Sequence, residues 1–293
     1  MGHATRCIPL IQKLQQQGAE VLVAVPKTLE SRLRQSLSNV QYISLKGYEI
    51  RYHQGIPVWL SVLFQVFKIR RAIRDEHRWI MEHAESLKID QIISDNRYGL
   101  WHPSIHSILL SHQLQPIAPF GGWFVKKIIQ HIMRQLLRNF NEIHVPDYPG
   151  PKRLSGKLST PFEGLPPVKY IGPLSRFTCA AKEEIVPNTL LAILSGPEPH
   201  YNRFYQSMKE KAQFEGFVFR ALGWKIPEHA DGNDVLLNLS DEQFAKEVAR
   251  AEKIVCAAGY STLCDLYALG REAELFPTPG QTEQKYLAKN VDW

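Results

Sequence analysis

The sequence is poor in cysteine. Its four cysteines, Cys7, Cys179, Cys256 and Cys264, are too few and too scattered in 293 residues for a disulfide scaffold. No C-x-x-C pair points to zinc. Reduced thiols in a cytoplasmic protein are the expectation. Long apolar runs are also missing. The best one, 58–67, is about half of the roughly 20 residues a membrane span needs, and Lys68, Arg70 and Arg71 end it. The first residues, Met-Gly-His-Ala-Thr-Arg, lack the apolar region of a signal peptide. No Asp-x-Asp pair offers itself to a divalent ion, so no metal site is expected. No aromatic–basic repeat or recognition motif suggests a nucleic-acid partner.

Hydrophobic residues make up 44% and charged residues 22% of the chain, which excludes wholesale disorder. The length suits two domains of about 150 residues, each able to bury a core without staples. The net charge of +6 is unevenly spread. Residues 1–174 hold 22 Lys and Arg against 12 Asp and Glu, whereas 175–293 hold 13 against 17. Opposite signs suggest two domains with different partners, the first facing something anionic.

Short apolar segments alternate with helical ones. Strands are expected at 19–25, 40–45, 89–94, 107–110, 142–145 and 169–171, then at 190–194, 217–219, 235–239, 253–257 and 273–276. Helices are expected at 8–17, 59–86 and 123–139, with further starts near Ser240, Ser261 and Gln281. This rhythm implies an α/β protein with doubly wound parallel sheets. The turn-rich Gly172-Pro173-Leu174-Ser175, where the charge balance changes sign, divides it into domains 1–174 and 175–293. Ligands of such sheets bind at the carboxyl ends of the strands, so the cleft between domains is the expected site.

Two segments carry chemistry. In 256–265 a strand runs into a glycine turn at Gly259, and Ser261 and Thr262 open a helix. Free N–H groups at a helix N-terminus together with hydroxyls favour a phosphate or diphosphate. Asp265, about a turn further on, is placed to accept hydrogen bonds from ribose hydroxyls. An ordinary Ser/Thr cap after a βα turn is the competing explanation. A nucleophile elbow is excluded, because Leu263 stands where that motif needs glycine. In 276–284 another strand runs into Gln281, Thr282, Glu283 and Gln284, whose amides and carboxylate suit sugar hydroxyls. A capping box from Thr282 and nearby acids explains that cluster equally well.

Gly-Tyr-Ser-Thr-Leu-x-Asp-Leu from Gly259, followed by Pro-Thr-Pro-Gly-Gln-Thr-Glu-Gln from Pro277, resembles the donor half of GT-B nucleotide-sugar glycosyltransferases. It is most similar to the MurG-like N-acetylglucosaminyltransferase group. Gly2-His3-Ala4-Thr5-Arg6 resembles that family's glycine–histidine acceptor-side loop, and the turn at Ser195-Gly196 resembles the one after the first donor-domain strand. There are departures: Asp265 stands where MurG proper has glutamate, and the turn is not of Gly-Gly-Ser-Gln form. The family pattern has a strand before the glycine–histidine loop and closing helices, whereas this sequence starts at the loop and stops at Val291-Asp292-Trp293.

The resemblance implies two Rossmann-like domains facing a cleft and metal-independent, inverting transfer of a hexose from a nucleotide sugar, expected to be a UDP-sugar, with no other cofactor. Gly259, Ser261 and Thr262 would hold the diphosphate with Ser195 and Gly196 nearby, Asp265 the ribose, and Gln281 and Gln284 the sugar; Tyr260 and Glu283 are further donor-binding candidates. His3 is the family-matched general base. Asp95, Asn96, Arg97 and His112 lie just beyond strands on the acceptor side.

One helix bears on location. In 123–138, Lys127, His131, Arg134 and Arg138 recur at helical spacing opposite Val125, Ile129, Ile132 and Leu136. A basic amphipathic helix can lie on an anionic bilayer; a core helix with a solvated face has the same pattern. With the family's lipid-linked acceptors, it raises the expectation of a peripheral protein on the inner membrane face. Two alternatives stay open: a nucleotide-sugar 2-epimerase on the same fold, and a non-catalytic nucleotide-sugar-binding or membrane-recruiting subunit.

Overall fold

The computed structural model describes residues 5–48, 65–118, 121–177, 183–196, 198–230, 232–237, 239–291 and 293. His3, Cys179 and the beginning of the 59–86 helix therefore lie outside the described residues. Every strand pair is parallel. The first half runs α1 (Ile8–Gln16), β1 (Leu22–Val25), α2 (Lys27–Ser36), β2 (Gln41–Ser44), α3 (Val66–His83), β3 (Gln91–Asp95), β4 (His106–Leu110), α4 (Gly122–Leu137), β5 (Glu142–Val145) and β6 (Val168–Tyr170). A short 3-10 turn at Gly156–Ser159 precedes β6. The second half runs β7 (Val186–Ile193), α5 (His200–Glu215), β8 (Val218–Gly223), β9 (Val235–Leu237), α6 (Asp241–Arg250), β10 (Ala251–Cys256), α7 (Tyr260–Ala268), β11 (Glu274–Leu275) and α8 (Thr282–Asn290).

The second half forms one five-stranded sheet in the order β11-β10-β7-β8-β9. The order reverses between β7 and β10, which pair with Ile193 beside Cys256. Cys256 is also level with Leu275 of β11. Leu190 and Ala192 of β7 are wholly buried on one face, against α5, while Leu191 and Ile193 face the cluster that includes Val248 of α6 and Leu266 of α7. Burial on both faces is why these strands read as continuous apolar runs.

Two helices escaped the sequence reading. In α5, Tyr201, Tyr205, Met208 and Ala212 are buried at spacings of four, three and four, and Gly216 ends the helix at φ 78°. The polar residues between them mask this stripe. Helix α2 is mostly polar, with four charged residues in ten, and is held by Leu33, which packs with Ile8, Ile11 and Val23. The first half also departs from a single sheet: β1–β2 stand apart from β3-β4-β5-β6. Ala24 of β1 still packs in the same apolar cluster as Ile92 of β3.

Beyond β6, Ser175, Arg176 and Phe177 already contact the second half, through Asp265, Asp241 and Leu191 respectively. A shared apolar cluster joins the halves, with Leu154 and Leu158 against Ala258, Tyr260, Leu263 and Leu287.

Helix α3 is fixed by an ionic contact. Glu76, 3% exposed, accepts hydrogen bonds from Arg97 Nε at 2.7 Å, the Tyr48 hydroxyl at 2.9 Å and the Gly99 amide at 3.1 Å. Gly99 allows this approach: a Cβ there would stand 2.2 Å from the Ile73 carbonyl oxygen and 2.6 Å from Glu76 Cβ. Backbone cannot give way as a side-chain tip can, so Gly99→Ala should destabilise the protein by about 1–3 kcal/mol, the usual cost of overpacking. A denaturant midpoint unchanged from wild type would refute the close approach.

Candidate active site

The reversal between β7 and β10 collects the sequence motifs at one end of the second sheet. Ser195 and Gly196 follow β7, Gly259 follows β10, and the 276–284 segment follows β11, all beyond carboxyl ends of strands that are level with one another. Such a switch point leaves a crevice because the chains on its two sides leave in opposite directions. Gly196 turns there at φ 92°, a conformation that favours glycine.

Gly259 is the N-cap of α7, and no side chain caps the helix. The amide of Leu263 is the first to bond back, to the Gly259 carbonyl at 3.0 Å. Ser261 and Thr262 are therefore the second and third residues of the helix. The cap explanation for their hydroxyls is thereby corrected. The amides of the first turn precede the hydrogen-bonded ladder and concentrate the positive end of the helix dipole. Among the described residues, a Cβ on Gly259 would meet only Thr262 Oγ1, at 3.8 Å.

The Tyr260 side chain departs from its expected place among the donor-binding residues. It is 3% exposed, and its hydroxyl donates to the Pro146 carbonyl at 2.5 Å, beyond β5 of the other half. Burial pushes the phenol well above its ordinary value, so it stays a donor. Its ring stacks on His112 with centroids 4.1 Å apart. Tyr260 is thus a contact between halves at the first position of α7.

Asp265 also differs from expectation. Its carboxylate accepts from the Ser175 hydroxyl at 2.7 Å and lies 3.6 Å from Arg176 Nε. Arg176 reaches on to Asp241 at 2.7 Å. A ribose at Asp265 must share these partners. On α8, Gln281 is the N-cap without a side-chain cap bond. Gln284 Oε1 accepts from the Thr278 amide at 2.8 Å, so this glutamine shapes the 278–284 turn. The capping-box explanation from Thr282 is not what forms here.

The acceptor-side residues separate into two groups. Arg97 points away to Glu76 and also donates to the Lys46 carbonyl, so it braces α3 instead of lining a pocket. Asn96 sits at φ 51° with its amide on the Leu110 carbonyl, a turn position that asparagine tolerates. Asp95 accepts from both Nε and Nη2 of Arg6 and from the Cys7 thiol at 3.4 Å. A carboxylate held by a guanidinium is a weak proton acceptor, so Asp95 is a poor substitute for His3 as base. His112 crosses to the second half, through Tyr260 and Glu283. Arg6 is the hub between Asp95 and His112, through contacts that sequence spacing does not show.

No family model matches the sequence, and no curated protein matches it. Solved structures do match in shape. The spinosyn rhamnosyltransferase SpnG complexed with thymidine diphosphate superposes at a TM-score of 0.59 with 16% identity, covering 98% of this chain and 80% of that one. UGT2 of Phytolacca americana, complexed with UDP-2fluoro-glucose and pterostilbene, gives 0.58 and 14%, with 98% and 80% covered. MurG of Acinetobacter baumannii gives 0.51 and 16%, with 98% and 79% covered. The chain has the GT-B fold. Its two parallel α/β halves correspond to the two Rossmann-like domains of that fold.

The half-buried Asp265 makes stability depend on pH in an unusual direction. Burial pushes its carboxyl up to about 6 from 3.8, with Arg176 and Ser175 pulling only part of the way back. Between those values the folded protein holds a proton that the unfolded chain has lost. The group's favourable contribution is therefore present at low pH and fades as pH rises through about 6. Asp265→Asn removes this dependence. Its urea midpoint relative to wild type should rise from pH 4 to pH 7; parallel profiles would show that Asp265 titrates normally.

Proposed function

We propose that this protein is a nucleotide-sugar glycosyltransferase using a UDP-sugar as donor. The observation that carries the reading is the uncapped first turn of α7 at the β7/β10 switch point, with Ser261 and Thr262 on that turn. The shape relatives include enzymes complexed with thymidine diphosphate and with a UDP-sugar analogue, which supports the same assignment.

In the proposed reaction an acceptor oxygen forms a bond to the anomeric carbon while the bond from that carbon to the diphosphate oxygen breaks, with inversion. The acceptor proton passes to a base, for which His3 is the candidate. The charge that develops on the leaving diphosphate is met by the α7 amides and the Ser261 and Thr262 hydroxyls, already oriented and needing no metal. Gln281 and Gln284, at the start of α8, are the sugar candidates, whereas the expected donor-binding role of Glu283 gives way to its contact with His112. A 2-epimerase on this fold needs additional acid–base carboxylates. Asp95 and Glu76 are committed to arginines, which disfavours them for that role.

The cytoplasm is the proposed location, with peripheral attachment to an anionic membrane carrying a lipid-linked acceptor. Support comes from α4, though not from the stripe expected there. Arg134 turns inward, donating to the Glu163 carbonyl at 2.8 Å and lying 5.5 Å from the Phe162 ring centre, because Gly164 leaves it room. Lys127, His131 and Arg138 stay exposed. Among them α4 presents Trp123 at 72% and Phe124 at 67% exposure, with Ile128 and Ile132 on the same side. Ile132, expected on the buried side, is replaced there by Gln130 and Met133. A groove lined by Phe67, Arg70, Arg71, Ile73 and Arg74 of α3 and by Leu136 of α4 continues the surface. Aromatic side chains at the level of lipid headgroups with cations around them suit an anionic interface. Among the described residues no helix is long and apolar enough to cross a membrane.

UDP-glucose and UDP, added without metal, should stabilise the protein thermally, by about 2.7 kcal/mol at 100 times the dissociation constant. Thr262→Val should weaken UDP binding about tenfold, the loss of one hydrogen bond to a charged group. Calorimetry that detects neither nucleotide across a panel of bases would overturn the donor assignment.

Salt-sensitive cosedimentation with anionic vesicles, and little with neutral ones, is expected of the α4 surface. The pair Trp123→Ser and Lys127→Glu should abolish it while leaving the unfolding midpoint unchanged. Equal recovery with both vesicle types, or an unaffected pair variant, would return α4 to an ordinary surface helix.

A further inference from the structure

A buried chain of polar contacts crosses between the two halves and ends on the donor-side helix α8. Asp95, at the end of β3, grips Arg6 through two guanidinium nitrogens. Arg6 Nη1 lies 2.9 Å from His112 Nδ1. His112 Nε2 lies 3.0 Å from Glu283 Oε1, in the first turn of α8. Arg6 is 2% exposed and His112 3%. The His112 ring lies nearly parallel to that of Tyr260, with 6° between planes.

Proton accounting decides the form of the histidine. A guanidinium has only donors, so Nδ1 must offer its lone pair to Arg6. The ring proton then sits on Nε2 and is donated to Glu283. A proton on Nδ1 would confront the guanidinium N–H. Arg6, itself fixed by Asp95, thus selects both the tautomer and the direction in which His112 reaches the second half.

We propose that Arg6 and His112 are positioning residues for the donor sugar. They pin Glu283, and with it the first turn of α8, so that Gln281 and Gln284 are held against the crevice by the opposite half of the protein. The sugar portion of this proposal rests on the donor reading above. Tyr260 holds α7 through its hydroxyl on Pro146 as well as through its stack on His112. The diphosphate site therefore keeps one of its two ties when His112 is removed, whereas Glu283 loses the His112 contact outright.

The discriminating quantity is the difference between UDP-glucose and UDP affinity, measured by calorimetry on the full chain. His112→Ala should weaken UDP-glucose about tenfold and UDP by much less, since Tyr260 keeps its hydroxyl bond to Pro146. His112→Gln, whose amide nitrogen can stand in for Nε2 toward Glu283, should recover most of the loss. Two readouts need no ligand. Amide exchange at 282–287 should accelerate in His112→Ala and be restored in His112→Gln. The imidazole nitrogen shifts of His112 should report the Nε2-protonated tautomer, and Arg6→Lys should disturb it. Equal weakening of UDP and UDP-glucose, no rescue by glutamine, unchanged exchange in α8, or an Nδ1-protonated ring would each overturn the positioning role. A wild type that binds neither nucleotide overturns the donor reading and the sugar portion of the proposal. Exchange and tautomer still decide by themselves whether Arg6 and His112 hold α8.

Discussion

Tyr260 stands at the first position of α7, with its ring against His112 and its hydroxyl on the Pro146 carbonyl. The helix whose free amides face the crevice is therefore tied at that same end to the other half. A bulky aromatic in a desolvated setting needs a partner for its hydroxyl, and the carbonyl beyond β5 supplies it. Around this contact lie Leu154, Leu158, Leu263 and Leu287, which bury the remainder of the seam. The placement of the α7 N-terminus in the second half thus depends on packing contributed by the first.

The same seam explains why polar groups near it are paired. A lone charge away from water is costly, and each one here has found an opposite charge or a hydrogen-bond donor. Asp95 has Arg6, Glu76 has Arg97, and Asp265 has Arg176 and Ser175. These pairs take up side chains that chemistry alone marks as candidates for a reaction. His112 differs because both ring nitrogens are used, one toward each half. The two halves are thereby joined by directional contacts as well as by apolar burial, and a directional contact fixes orientation where apolar contact does not.

The α4 surface follows another rule. Its inward face is set by Gln130, Met133 and Leu137, roughly 100° round the helix from the centre of the Val125, Ile129, Ile132 and Leu136 stripe, and Ile132 is exposed as a result. Gly164 and Phe162 provide the berth that draws Arg134 away from solvent. The resulting surface is more aromatic and less cationic than its sequence pattern.

The strands and their parallel pairing were legible in the sequence because strands buried on both faces must be apolar throughout, as in 190–194 and 253–257. The two donor-side motifs were legible because glycine turns and helix starts are local chemistry. Helix α5 was hidden because its buried stripe consists of two tyrosines, a methionine and an alanine set among charged residues, and composition averages them away. Which motif residues meet a ligand was not legible at all. Tyr260, Asp265 and Arg97 each look available in one dimension, and each is occupied by a partner at least 21 positions away. Only the tertiary structure decides this, because pairing a buried polar group depends on what the fold brings within about 3 Å of it. Neighbours in sequence do not reveal that distance.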